Sequence, residues 1–370
     1  MTAVIPVTTV DEGRRAARRP GRPAAGQLVC WQVAAAGVLA TIGRPMPVTV
    51  AAGVAAAVLV VVSTGRVRGR WLFEWVRLWL RYRSRDRRLT AHAASAPEAA
   101  LLALVAGVEP VPDRTVDGRR FAVVEHPGGV GAVVGLGTEG LTPDMLDLPA
   151  LVLASADPDG PHQTVQVVLH IRPVPTGWYG RAWLTVQIGR EPGQRPEELR
   201  RALDAALRRT LRLLRRHGRT HEVLAAAGLH RDLYLISQRD LTERPAPGRD
   251  LAVEAWDAWR TPGVAHRTLL LGGAATRAPG QSLVGMLLTA DGLGTTVSLT
   301  RRRPAPGPDT VSELTVRLTS RTGAGLDAVV RALRNRLTPA GVTVDPLDGR
   351  QAYGLAATLP LGYLPLQSTV

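Results

Sequence analysis

The chain of 370 residues contains no lysine, a single cysteine and few aromatic side chains, 4% in all. Without lysine there is no phosphate-loop lysine of the GxxxxGK[ST] type to hold a nucleotide. The lone Cys30 excludes an intramolecular disulfide framework and a cysteine metal cluster, which suits a reducing cytosol for the soluble part. Cys30 lies in an apolar run and reads as a small buried apolar residue. A GxSxG nucleophile elbow is also missing.

Apart from histidine, every basic side chain is arginine, alongside 38 glycines and 28 prolines, as in the codon bias of a GC-rich bacterial genome. The placement of the charge says more than its size. Residues 1–90 hold fifteen arginines against Asp11, Glu12, Glu74 and Asp86, a net +11 of the chain's +15. The other 280 residues share +4, so the chain is not a uniformly basic nucleic-acid-binding protein.

The positive charge flanks two apolar runs, Gly26–Ile42 and Pro47–Ser63. Seventeen helical residues cover about 25 Å against a hydrocarbon core of about 30 Å, so each run suffices if its flanks join. Pro45 and Pro47 break the helix between them. Five arginines precede the first run, nine follow the second between Arg66 and Arg88, and only Arg44 lies between. The positive-inside rule then puts both termini in the cytosol, in a multi-pass protein of the inner (plasma) membrane. A signal peptide is the competing reading of the first run, but a second apolar run follows at once. Burial in a soluble core competes for both, but neither run has the polar face of a surface helix.

Residues Arg66–Arg88 predict an amphipathic helix. At 100° per residue Trp71, Trp75, Leu78, Trp79 and Tyr82 share one face, while Arg70, Glu74, Arg77, Arg81 and Arg88 share another. An aromatic belt with arginines after a span suits the headgroup layer, or packing on a neighbouring protein helix. The candidate membrane-interface and assembly residues are therefore Arg70, Trp71, Trp75, Arg77, Trp79, Arg81 and Tyr82.

The remaining chain predicts an α/β domain with a mixed sheet and packed helices. A weak helix is expected at Ala93–Val105, and strands at Arg120–Glu125, Gly129–Gly135, Gln163–Ile171 and Ala182–Ile188. Pro196–His217 is the best soluble helix, with Pro196 at its first turn, Glu197 and Glu198 behind it and Gly218 at its end. Leu199, Leu203, Leu207, Leu211 and Leu214 form its stripe. Strands at Leu283–Leu288, Thr295–Arg301 and Glu313–Thr319 and a helix at Leu326–Leu337 follow. Two strands and a helix thus occur twice, around Gln163–His217 and Thr295–Leu337, as in a degenerate duplication. Glu243–Pro262, with Trp256 and Trp259, shows little period. The expected organisation is a basic tail over 1–25, a transmembrane hairpin over 26–65, the Trp/Arg helix over 66–92 and the cytosolic domain over 93–370.

Catalytic and cofactor motifs do not assemble, and no cofactor is expected. Gly135-Leu-Gly137-Thr-Glu-Gly140 matches GxGxxG after a strand, but Thr142-Pro143-Asp144 follows where a helix must start. His217 and His221 have zinc spacing, yet Gly218 ends the helix between them. His162 and His170 end a strand with no ligand cluster nearby, and Asp157-Pro-Asp159-Gly160 is a turn without the later ligands of a calcium loop.

The ordered set resembles EccE, a membrane component of the type VII (ESX) secretion machinery of actinobacteria. It comprises a basic tail, two close apolar runs, Arg70-Trp71-Leu72-Phe73-Glu74-Trp75, then Gly180-Arg181-Ala182-Trp183-Leu184, and Trp259 before His266-Arg267-Thr268-Leu269-Leu270. The resemblance implies a scaffold without catalytic residues, with EccB, EccC and EccD type components and membrane lipids as partners and no nucleic acid. A membrane-anchored enzyme acting at the bilayer face, or a tethered regulator of a cytosolic partner, are the alternatives. A cysteine placed in the Arg44–Pro47 turn of a Cys30→Ser chain is expected to react with an impermeant maleimide from outside the cell. Labelling only after access to the cytosolic side would reverse the topology.

Overall fold

The computed structural model describes residues 25–67, 70–90, 109–116, 119–126, 128–137, 141–157, 160–175, 177–237, 250–273, 285–287, 293–303 and 311–362. It divides into two compact units, one within Glu12–Asp86 and one that includes Arg87–Val370. The expected helix over Ala93–Val105 lies outside the described residues.

The first unit begins with α1 (Ala25–Leu39) and α2 (Met46–Thr64). Pro47 stands in the first turn of α2, where its missing N–H costs nothing. Trp31 Nε1 of α1 donates to Ser63 Oγ of α2 at 3.2 Å, and Thr49 Oγ1 donates to Thr41 O. Among the described residues, α2 alone is long and apolar enough to cross a membrane; the apolar part of α1, Leu28–Leu39, is shorter.

The amphipathic helix is shorter than Arg66–Arg88. Arg66–Val67 (β1) and Arg70–Trp71 (β2) form a small antiparallel ribbon instead. Leu72 N donates to Gly65 O at 2.8 Å, and the Trp71 N–H donates to the Glu74 carboxylate. That cap starts α3 (Leu72–Ser84) after Trp71 rather than before it.

The second unit begins earlier than residue 93, because β3 (Arg88–Thr90) already pairs into its sheet. The strands are β4 (Glu109–Val116), β5 (Arg119–His126), β6 (Gly129–Leu136), β7 (Gln163–Val174), β8 (Gly177–Gly189), β9 (His221–Val223), β10 (Asp250–Glu254), β11 (Trp259–Thr261), β12 (Val264–Gly273), β13 (Gly294–Arg302), β14 (Val311–Ser320) and β15 (Val342–Pro346). Their order is β3-β10-β11-β12-β14-β13-β7-β8-β6-β5-β4, with β15 added to β12 and β9 to β6. Every described pairing is antiparallel, which corrects the expected mixed sheet. Its strands run on through hairpins such as Val174↔Gly177, whereas a parallel pair needs a long crossover.

The helices are α4 (Leu148–Ala154), α5 (Pro196–Arg216), α6 (Ala226–Ser237), α7 (Gly323–Leu337) and α8 (Gln351–Ala357). Sheet order and chain order are symmetric about the β7–β13 pair. The series β4-β5-β6, β7-β8, α5, β9, α6 is repeated as β10-β11-β12, β13-β14, α7, β15, α8. The recurrence visible in the sequence is therefore part of a longer one. Two further expectations change with it. Residues 285–287 are helical rather than part of a strand, and Glu243–Pro262 contains β10 and β11.

The main core lies between one sheet face and α4, α5 and α7. The five leucines of α5 point into it, as do Leu326, Val330, Leu333 and Leu337 of α7. Spacings of three and four place them on one stripe. Arg195 N and its guanidinium bond Glu198, Thr322 Oγ1 caps α7 by accepting from Gly325 N, and Gly218 (φ 65) ends α5 in a left-handed conformation. Leu207→Ala in α5 and Leu333→Ala in α7 are each expected to cost about 2–5 kcal/mol in denaturant unfolding. Several strands separate the two helices, so the double variant should lose the sum to within about 0.5 kcal/mol.

Candidate functional site

The predicted site residues all fall in the first unit, and the ribbon and α3 divide them. The backbone of Arg70 pairs with Val67 in the ribbon. Trp71 faces Arg66, whose guanidinium carbon lies 3.7 Å from the indole centroid. Trp75 is half-buried and its Nε1 donates to Val67 O at 3.1 Å, so this indole locks the helix to the ribbon. Leu78 and Tyr82 share that half-buried side. Trp79 does not join them. It is 46% exposed, beside Phe73, Val76 and Leu80 on an apolar strip, with Arg83 stacked at 5.4 Å. Arg77 and Arg81 are exposed and border that strip on the side of Phe73 and Leu80. The face expected to be single is therefore two: one side packs locally, and an apolar strip edged by arginine stays uncovered. Such a strip suits a bilayer surface or a partner helix.

The motifs weighed in the sequence find structural explanations. Gly137 N donates to Thr220 O at 2.9 Å, and a Cβ there would stand 1.8 Å from Thr220 Oγ1. Close backbone approach accounts for that glycine. His217 caps α5 through Leu213 O, while His221 has moved into β9 with Nδ1 on Arg219 O. Gly160 N closes a turn on Asp157 O. Among the described residues no group of three His, Cys, Asp or Glu is placed to hold a metal ion.

The second unit holds a polar centre that sequence reasoning missed. Arg181, His170, Thr296, Arg317 and Thr268 are consecutive partners in one row across β8, β7, β13, β14 and β12. This row lies on the sheet face opposite the main core, covered by α6 and α8. Asp232 of α6 is fully buried and binds Arg181 Nη2 and Trp183 Nε1, each at 2.8 Å, so that end of the row is charge-balanced. Burial above all raises the Asp232 carboxyl, against the pull of Trp183 and Arg181.

Arg317 is different. It is 0% exposed, and Nη2 donates to Ile236 O at the end of α6 (2.6 Å) and to Thr296 Oγ1 (3.2 Å). Among the described residues, its Nε and Nη1 have no partner and no carboxylate bonds it. Burial alone pulls its guanidinium down to about 9. A buried unpaired ion costs several kcal/mol, and a helix C-terminus returns up to about 2 kcal/mol. His170 Nδ1 meets Thr296 Oγ1 at 2.9 Å, and His266 Nδ1 meets Thr319 Oγ1 at 3.0 Å. Burial, then the charges of Arg317 and Arg172, pull His170 down to about 3, and burial and Arg317 hold His266 well below its ordinary range. Both are neutral near pH 7. The sequence signal for this centre is the alternation Glu313-Leu-Thr315-Val-Arg317-Leu-Thr319, which marks a strand without telling what covers its polar face. The structure covers that face.

No family model matches the chain, and no curated protein is significantly similar to it.

The two histidines set a pH dependence. Their folded pKa values lie below the unfolded value of about 6.5, so the stability they hold is complete above that pH and is lost as pH falls. From pH 6.5 towards 4.5, above the range of ordinary carboxylates, each should remove about 1.4 kcal/mol per pH unit. Unfolding free energies measured across this window should show the slope, and His170→Gln should reduce it by about half. A flat profile would mean that the histidines can charge in place.

Proposed function

We propose that the chain is a membrane-anchored scaffold of a type VII (ESX) secretion complex, similar in role to EccE. The observation that carries the membrane part is α2. Its nineteen residues span about 28 Å and bear no charge, and Val50, Val54, Val58 and Val61 form a stripe along it that is more than half exposed. A helix apolar on all sides suits lipid, which leaves no polar face to solvate.

The finer reading makes α1 a second span that returns the chain to the same side. The fifteen residues of α1 cover about 22 Å, so it would span by drawing in flanking residues or thinning the bilayer. The Trp31–Ser63 bond, which joins it to α2, supports that reading. Both termini and the sheet unit then lie in the cytosol of the inner membrane. The exposed Phe73/Val76/Trp79/Leu80 strip beside Arg77 and Arg81 lies at the headgroups or against a neighbouring component. EccB, EccC and EccD type proteins are the partners that the resemblance supplies. EccC brings the ATPase motor, and this chain buries surface.

A scaffold distributes its determinants over surface, so exposed polar groups are individually dispensable. His162→Ala, His217→Ala and His221→Ala should each leave secretion near the parental level. Trp79→Ala keeps the local packing of Trp75 and should lower the yield of assembled membrane complex on native gels, with the sheet unit still folded. Replacing Trp71, Trp75 and Trp79 together should lower it further. An unchanged yield after the triple replacement would remove this role for α3. Loss of secretion from one exposed histidine, with the complex normal in amount and size, would favour a membrane-bound enzyme.

A further inference from the structure

The pseudo-symmetric halves close their second sheet face in the same way but with opposite chemistry. The end of α8 reaches the first half, where Gln166 Nε2 donates to Ala357 O and Ser298 Oγ, each at 2.9 Å, and Gln166 Oε1 accepts from Gly362 N. That site is neutral, and both ends of the glutamine amide are satisfied. The end of α6 reaches the second half, where Arg317 donates to Ile236 O and the Ser237 backbone lies at His266.

The two leftover atoms of Arg317 are both donors. Thr296 Oγ1 accepts from Arg317 and meets His170 Nδ1; in the tautomer where the hydroxyl donates to Nδ1, the His170 proton stands on Nε2 as a donor. His266 differs, with Nδ1 on Thr319 Oγ1 and a further hydrogen bond to the Ser237 backbone. Among the described residues, His170 Nε2, Arg317 Nε and Arg317 Nη1 are buried without a hydrogen-bond partner. A water could satisfy some of these, but it also brings protons that need acceptors. A group that only accepts, and carries negative charge, satisfies them and neutralises the guanidinium at once.

We propose that Arg317 and His170 form an internal site for a small oxyanion under the end of α6. Inorganic phosphate and the carboxylate of a small acid share the chemistry: several acceptor oxygens and a full negative charge facing a guanidinium fork. The anion ties β7 to β14 under α6 and so fastens the two halves of the sheet unit together. This inference does not depend on the secretion role.

The test uses the full chain in detergent micelles. Its unfolding temperature is followed by tryptophan fluorescence against phosphate, acetate and chloride at matched ionic strength. A saturable rise with phosphate or acetate but not chloride is expected, and whichever saturates at the lower concentration identifies the natural class. Arg317→Met should lose the rise, and His170→Gln should move its midpoint upward by roughly tenfold. If Arg317→Met does not accumulate, His170→Gln carries the comparison. An anion retained through purification would flatten the titration, so denatured protein is also assayed for released phosphate and organic acid. About one anion per chain from the parent and less from the variants supports the site. Equal stabilisation of parent and variants, or no shift with no anion released, overturns it.

Discussion

The pairing of β7 with β13 is the interaction on which the sheet unit depends. Eight consecutive register pairs, from Ile171↔Thr295 to Thr164↔Arg302, join the two halves edge to edge. Neither half is complete without the other. The carbonyl that receives Arg317 of the second half belongs to the first half's α6, and the one that receives Gln166 of the first half belongs to the second half's α8. The covering helices are thus reciprocally crossed over a shared seam. The seam is fixed on the other face as well, where α4 lies against both β7 and β13. Slipping the register by one residue would turn either Val167 and Leu169 or Val297 and Leu299 out of the core, so the pairing is strongly specified.

The unusual feature of this sheet is that its second face is polar yet buried. Gln166, Thr185, His170, Thr296, Ser298, Thr300, Thr315 and Thr268 are all nearly inaccessible. Small residues make the cover possible. Gly354 of α8 sits so close to β12 that an added Cβ would stand 2.6 Å from the Cβ of Thr268. The cover also brings polar partners of its own. Gln351 Oε1 accepts from Thr268 N, and Glu254 Oε1 accepts from Ala352 N at the start of α8. Hydrogen bonds of this kind turn a face that would otherwise need water into a packed one.

This explains which features were legible in the sequence. The stripes of α5 and α7 and the alternation of β7, β8, β13 and β14 were clear, because each buries one apolar face and the period shows it. The duplication was visible only as two strands and a helix, because β10 and β11 sit in a proline- and tryptophan-bearing stretch with too few residues to show a period. The alternation of Thr and Arg in β14 shows the strand but not its surroundings, since period does not tell water from a covering helix. In the first unit, the helical wheel placed Trp75 and Trp79 together. Their separation follows from the β1–β2 ribbon, which takes the Trp75 indole N–H at Val67 O, and no helical period encodes a ribbon.

The symmetric order of strands around β7 and β13 is the arrangement that two identical chains would make about a twofold axis, here carried by one polypeptide. In a true homodimer, every substitution near the axis appears twice. A buried arginine placed there would bring a second uncompensated cation across the same seam, and the interface would have to bear both. Joining the halves in one chain lifts that constraint. One side can keep a neutral amide at Gln166 while the other takes a cation at Arg317. The covalent link therefore grants the molecule independent inheritance of its two halves, and chemical differences can accumulate across the axis without doubling their cost.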